Sequence, residues 1–356
     1  MELTLQVEDA VLWNGIENPY LYTAEVIVSI EGKVCDTDRQ DFGIRTYHID
    51  SERGFFLNGK YLDLHGVNYH QDSFENGWAM TDGQRERDYK MICEMGCTSV
   101  RMAHYQHDRY EYALCDRLGL TVWTEIGIVN KMSADETDRL AVAEGFAENA
   151  GQQLTELIRQ NYNHPCVIVW GISNELYQMT EEIYSIYTAL NKLAKKNYQS
   201  EMHEKIWAQF AERPYLWGKY IWCMFDFASD GRNEGDTKGQ NDKGLATRER
   251  MPKDAYYFYK SIWNAVPMVH LTEKGFRMRD SVIWRVKAYS NADSAELFVN
   301  GVSQGKINHS GMDTPYASVF VWENVAMMKG EENEILVRAF CADGTTLADR
   351  AFWRGC

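Results

Sequence analysis

A run of apolar and β-branched residues, Val167, Ile168, Val169, Trp170 and Ile172, ends abruptly in Asn174-Glu175. Such a run reads as a parallel strand buried on both faces. A carboxyl group at its C-terminal end would stand at the mouth of an α/β barrel, where barrel enzymes keep their chemistry. There it could give or take a proton. The plain alternative is a glutamate that caps the following helix. His70 and His104 each follow another strand-like segment, and their spacing fits no local metal-ligand motif. Buried histidines held by hydrogen bonds are the other reading of that pair.

The elements that would position these residues alternate between strand and helix through residues 55–265. Strands are expected at 61–67, 98–102, 120–125 and 166–172. Helices are expected at 83–95, 109–118, 144–160, 181–196 and 199–211. A further aromatic-rich strand at 216–225 and a closing helix at 254–263 follow. This rhythm predicts a right-handed parallel (β/α) barrel. Residues 1–50 alternate as β-strands but hold too few to close a sandwich. Residues 266–356 return to β, with strands at 281–289, 295–299, 317–322 and 334–340 and a hairpin turn at Asn300-Gly301. That C-terminal part reads as an immunoglobulin-like sandwich. The predicted organisation is thus a multidomain α/β plus all-β chain divided at 1–50, 51–265 and 266–356.

Composition narrows the function classes. The 356 residues carry a net charge of -15, which repels phosphate backbones and argues against nucleic acid as a partner. No apolar run is long enough to span a membrane, and the first residues lack the basic and apolar regions of a signal peptide, so the cytoplasm is expected. The eight cysteines form neither a zinc pattern nor a disulfide framework and read as structural thiols in a reducing compartment. Eleven Trp and 21 Tyr are a surplus. Flat rings can stack on the apolar faces of sugars, although most will be core.

Several segments together are diagnostic. Residues 13–22 (WNGIENPYLY) and 42–45 (FGIR) resemble the end of the immunoglobulin-like domain of glycoside hydrolase family 2. Residues 59–70 (GKYLDLHGVNYH) resemble that family's first barrel strand. Residues 98–104 (TSVRMAH) and 115–125 (CDRLGLTVWTE) resemble its second and third units, and 164–176 (HPCVIVWGISNEL) the segment with its acid/base glutamate. Residues 225–245 (FDFASDGRNEGDTKGQNDKGL) are similar to the loop after the last barrel strand in the β-galactosidase branch.

The resemblance implies hydrolysis of terminal β-linked sugars, foremost β-galactosides, with retention and without a cofactor or metal. It implies Glu175 as the catalytic acid/base and Asn174 as a ligand of the sugar 2-hydroxyl. His70 and His104 would bind sugar hydroxyls, and Trp222 would stack on the sugar or pack in the core. Arg101 would orient Glu175 or Glu125. Asn241 and Lys243 would bind hydroxyls or a substrate carboxylate, because a uronic-acid enzyme of this family uses an Asn-x-Lys pair in that way. A β-glucuronidase-like enzyme and a non-catalytic carbohydrate-binding relic remain the alternatives.

The chain departs from the family pattern in two places. The N-terminal jelly roll is absent. Nothing matches barrel strands five to seven, as though a deletion fell near 196–198. The barrel region spans roughly 210 residues against the ~250 typical of an intact barrel. The expected fold is therefore an incomplete TIM-type barrel flanked by immunoglobulin-like segments. Retaining chemistry needs a second carboxylate about 5–5.5 Å from the acid. Without strand seven the candidates are Glu125 and Asp226. Five acidic residues of the last loop (Asp226, Asp230, Glu234, Asp236, Asp242) lack an EF-hand register and read as solvated charge, with a cation site as the alternative. Exposed strand edges would invite pairing with a second copy.

Overall fold

The computed structural model describes residues 6–127, 146–171, 174–175, 207, 216–232, 237–309 and 317–355. The N-terminal segment forms a long antiparallel ribbon of β1 (Tyr22–Ile30) and β2 (Lys33–Phe42). Val26, Ile27, Val28, Ile30 and Val34 on this ribbon are exposed. A small sheet of β3 (Tyr47–Asp50), β4 (Gly54–Leu57) and β5 (Lys60–Tyr61) leads into the central unit.

The central unit is built from β6 (Leu64–Tyr69), α1 (Asp82–Met95), β7 (Ser99–Met102), α2 (Arg109–Leu118), β8 (Thr121–Glu125), α3 (Phe146–Asn161), β9 (Val167–Gly171) and β10 (Gly218–Ile221). All five strands pair in parallel, in the order β10-β6-β7-β8-β9. All five therefore present their carboxyl ends at the same side of the sheet. Local chemistry sets the helices. Thr81 and Gln84 form a capping box on α1, and Gly96 closes it in the left-handed region at φ 92°. Asp108 caps α2 through Tyr110 N–H, and Gly119 closes it at φ 75°. A Cβ on Gly119 would lie 2.3 Å from the Gly15 carbonyl oxygen, so the N-terminal segment can approach α2 only at a glycine.

The N-terminal segment docks at the amino ends of the strands. Trp13 is fully buried and donates its indole N–H to the Asp116 carbonyl (2.9 Å). Arg45 donates to the carbonyls of Pro165 (2.8 Å) and Val167 (2.5 Å) where β9 begins. Burial pushes the Arg45 pKa down, partly offset by Tyr47, Cys166 and Asp116. One apolar core runs from Trp13 through β6–β10 to Tyr289.

After β10 the short strands β11 (Phe227–Ala228) and β12 (Gln240–Asn241) pair antiparallel, and α4 (Asp254–Trp263) packs beside α1. The C-terminal part has two sheets. One orders β13 (Val269–Leu271), β15 (Ile283–Ser290) and β18 (Val319–Ala326). The other contains β14 (Met278–Arg279), β16 (Ser294–Val299), β17 (Val302–Asn308), β19 (Glu332–Phe340) and β20 (Thr346–Gly355), in the order β14-β20-β19-β16-β17. Val286, Ala288, Phe320 and Trp322 of the first share a second core with Leu297, Ile335, Val337 and Trp353 of the other. Asn300 (φ 50°) and Gly301 (φ 80°) make the two-residue β16–β17 turn, as their sequence demands. Tyr257 and Asp254 of α4 tie the two units together by stacking on His270 (3.7 Å) and accepting its Nε2–H (2.8 Å).

Three expectations need correction. The aromatic segment 216–225 is not one strand: pairing stops at Ile221, and Trp222 leaves the sheet toward the site. Strand β20 and the small sheet β3–β5 were not anticipated, whereas β17 follows from the expected Asn300-Gly301 hairpin turn although little of it is apolar or buried. Asp226 is not solvated loop charge. It is buried, with Oδ1 accepting from Lys253 Nζ (2.8 Å) and Gly244 N–H (2.8 Å). Burial nevertheless raises its pKa, with Lys253 opposing. The predicted helices at 181–196 and 199–211 (Trp207 apart), the junction near 196–198, and Glu234 and Asp236 lie outside the described residues.

Candidate active site

Five carboxyl-terminal strand ends meet at one cluster. Glu125, the last residue of β8, is fully buried. Arg101 on β7 reaches both of its oxygens, with Nη2 2.9 Å from Oε1 and Nε 3.3 Å from Oε2. His104 donates Nδ1–H to Oε1 at 2.7 Å, which fixes the tautomer and leaves Nε2 available. Arg101 Nη1 donates to Asn68 Oδ1 (2.8 Å) on β6, and Nη2 to Asn174 Oδ1 (2.9 Å) beyond β9. Asn68 Nδ2–H in turn donates to the carbonyl of Ile221 (3.1 Å), the last residue of β10. One guanidinium thus cross-links side chains from four strand ends, as its planar fork permits. Gly171 makes room for this: a Cβ there would lie 2.6 Å from Glu125 Cβ.

Aromatic rings wall the cluster. Trp222 stacks on His104 with centroids 5.0 Å apart and planes at 10°. His70 meets Trp222 edge-on at 5.4 Å and Phe227 at 4.3 Å. Its Nδ1 lies 3.3 Å from the Tyr105 hydroxyl. Burial, then the neighbouring His104, His107 and Arg101, drive the His70 pKa down to about 3. His70 is therefore a neutral imidazole at ordinary pH and works as a hydrogen-bonding group. Behind the site, His107 Nε2–H donates to the Ala103 carbonyl (3.1 Å), and Nδ1 meets Glu111 at 2.8 Å. This braces the peptide that precedes His104.

The structure brings together Asn174, Arg101, Glu125, His104, His70 and Trp222. Arg101 is seen orienting Glu125 and Asn174. Glu175 follows Asn174 directly, is exposed, and takes a left-handed backbone at φ 53°. Residues 172–173 and 176 on either side of this pair are outside the described residues. Asn241 is buried on β12 opposite Phe227, and its Oδ1 accepts the Lys243 backbone N–H (3.1 Å). The β11–β12 hairpin therefore reaches the site through Phe227. Asn68, Tyr105 and Phe227 were missed from the sequence. Asn68 had a signal, being a lone amide between Val67 and Tyr69 at the buried carboxyl end of a strand. Among the described residues no group of three or more His, Cys, Asp or Glu could hold a metal ion, and the seven described cysteines are free.

Comparison with known proteins bears on the family and the fold. Residues 49–196 match the TIM barrel domain of glycosyl hydrolases family 2, and residues 1–45 match glycosyl hydrolases family 2. The chain belongs to glycoside hydrolase family 2. Residues 282–348 match a domain of unknown function (DUF4982). A β-glucuronidase of Bacteroides fragilis is 35% identical, over 93% of this chain and 59% of that protein. A β-galactosidase of Bacteroides ovatus is 23% identical, over 85% of the chain and 50% of the relative. Among solved structures, the FMN-binding β-glucuronidase from Facaelibacterium prausnitzii L2-6 superposes with TM-score 0.83 at 27% identity, covering 98% of this chain and 64% of that one. A putative β-galactosidase from Bacteroides fragilis gives TM-score 0.83 at 28% identity, covering 97% of this chain and 62% of that one. The chain thus spans about half to two-thirds of these relatives. No helix among the described residues is long and apolar enough to cross a membrane.

Proposed function

We propose that this chain binds a terminal β-linked sugar at the carboxyl ends of its parallel sheet and cleaves it with Glu175 as the acid/base. The observation that carries this reading is the Arg101 cross-link, which holds Asn174, the neighbour of Glu175, against Glu125. Asn174 would offer its amide to the 2-hydroxyl, His70 and His104 would bind the remaining hydroxyls, and Trp222 would face the ring. Glu175 would pass its proton to the glycosidic oxygen as the bond to the anomeric carbon breaks, while a second carboxylate attacks that carbon.

We favour a hexuronide over the β-galactoside expected from sequence. Asn241 ends the hairpin that packs Phe227 on His70, and Lys243 follows it by two residues with its backbone N–H on Asn241 Oδ1; in this reading the pair would meet a sugar carboxylate. The 35%-identical relative is named a β-glucuronidase. Within this reading the units are 1–50, 51–265 and 266–356, the first and last immunoglobulin-like. Among the described residues no strand lies between the fourth, β9, and the last, β10. The alignment with the Bacteroides fragilis relative runs over 418 residues, more than this chain contains, which supports an internal omission.

One observation favours a second reading, binding without hydrolysis. Glu125 is committed to Arg101 and His104, and Asp226 to Lys253, so both candidate nucleophiles are already engaged. Release of nitrophenol from 4-nitrophenyl β-D-glucuronide decides between them. Turnover that falls at least ~100-fold in Glu175→Gln supports hydrolysis. Tryptophan quenching by the glycoside without release supports binding alone, and neither response sinks both. Self-association would use the exposed β1–β2 ribbon, and a molar mass in light scattering that stays at one chain across concentrations would exclude it.

A further inference from the structure

We infer that Trp78 is a stacking platform for the leaving group, the ring that lies beyond the scissile oxygen. The inference rests on the glycoside-binding reading above. Trp78 is on the loop between β6 and α1, and that loop is tightly built. Ser73 and Gly77 exchange both backbone hydrogen bonds at 3.0 Å. Asn76 Nδ2–H donates to Gln84 Oε1 (3.1 Å), and Gln84 Nε2–H donates to Glu75 Oε2 (3.0 Å). Arg248 donates twice to the Asp72 carboxylate (2.6 and 2.8 Å) and once to the Ser73 carbonyl (3.1 Å). A loop held at this many points nonetheless leaves Trp78 67% exposed, the highest value among the large apolar residues described.

Its ring is also aligned with the site. Trp78 stacks on Tyr105 at 4.8 Å and 28°, which covers one face. Tyr105 contacts His70 at 5.8 Å, and His70 contacts Trp222 at 5.4 Å. A continuous file of rings therefore runs from the sugar seat to the rim. The non-reducing sugar occupies the inner end, so whatever is attached to its glycosidic oxygen extends outward along this file. A rigid, pre-oriented indole costs little ordering entropy on binding, and its apolar face suits either an aryl group or the apolar face of a second sugar.

Saturation-transfer NMR tests this with two probes, phenyl β-D-glucuronide and a β-1,4-linked glucuronosyl-glucose disaccharide. For the wild-type protein, saturation should reach the phenyl or glucose protons as well as the glucuronosyl protons. Trp78→Ala should lower the outer-ring signal relative to the inner ring and weaken binding roughly three- to tenfold. Trp78→Phe should keep most of both. Sensitivity of the phenyl probe alone assigns an aryl leaving group, and of the disaccharide alone a carbohydrate one. Unchanged outer-ring signal and affinity in Trp78→Ala would overturn the platform and leave the sugar seat standing. Saturation of the inner ring only, in the wild type, would do the same. No saturation of any proton would overturn both the platform and the binding reading beneath it.

Discussion

At the amino ends of β8 and β9 charge is spent mainly on the backbone. Arg45 donates to two carbonyls, and Asp116 accepts the Cys166 N–H (3.0 Å) and bonds His164 Nδ1 (2.5 Å). At the carboxyl ends of the same strands, charge is spent on other side chains. Arg101 reaches Glu125, Asn68 and Asn174 without using a carbonyl. The first arrangement ties loops together and satisfies groups that would otherwise be orphaned. The second fixes the orientation of polar side chains beside the packed rings of His70, His104 and Trp222. Both ends hold a part-buried arginine, but only at the carboxyl end does it order amide and carboxylate side chains beside two imidazoles. Preorganisation of that kind costs stability, and the expected effects at the two ends can be ranked.

Arg101→Met should be the most damaging change. It strands the buried Glu125 carboxylate and releases Asn68 and Asn174, at a cost of about 3–5 kcal/mol. Urea or thermal unfolding measures it, and sugar binding should vanish in whatever fraction stays folded. Adding Glu125→Gln should recover part of the loss, because the uncompensated charge is gone. A double variant no better than Arg101→Met would show that the cross-link, not the stranded charge, carries the cost. At the other end, Arg45→Met removes two donors from carbonyls and leaves no buried charge behind. The expected loss is smaller, about 2 kcal/mol, with sugar binding unchanged in the folded protein. Equal effects of the two substitutions on stability and binding would erase the contrast between the ends.

This contrast was half legible in the sequence. Position at strand ends together with the family resemblance singled out Glu125, Arg101, His104, His70 and Asn174, and the structure brings these five together. The helix at Arg109–Leu118 was legible because its caps, Asp108 and Gly119, and its periodicity are local, and the helix at Asp254–Trp263 from its apolar periodicity without a side-chain cap. Partnership was not legible. Arg101 could have served Glu175 or Glu125, and only the adjacency of β7 and β8 decides for Glu125. Asp226 looked like one charge in an acidic loop, because its burial against Lys253 depends on residues 27 positions apart. The path of Trp222 was hidden by an aromatic run that reads as one strand until pairing with β6 ends it. Likewise the Trp13 and Arg45 contacts join residues more than 100 positions apart, which no periodicity reports.

The smallest expected effect concerns His70, and it has a definite sign. Its folded pKa of about 3 lies below the ordinary histidine value near 6.5. The unfolded chain therefore takes up this proton more readily than the folded one. His70 contributes no penalty above about pH 6.5. Stability then falls as acid is added, down to about pH 3, where the folded state protonates too. Between pH 7 and pH 5 the loss should be about 1–2 kcal/mol. His70→Asn removes the titrating group while keeping a polar side chain, so its unfolding free energy should be flatter across this range than that of the wild type. Because burial beside His104, His107 and Arg101 causes the shift, the effect belongs to the carboxyl end alone. Parallel pH curves for the two proteins would mean that His70 is more open to water than its neighbours imply, and that the inner wall of the site is looser than the amino-end seam.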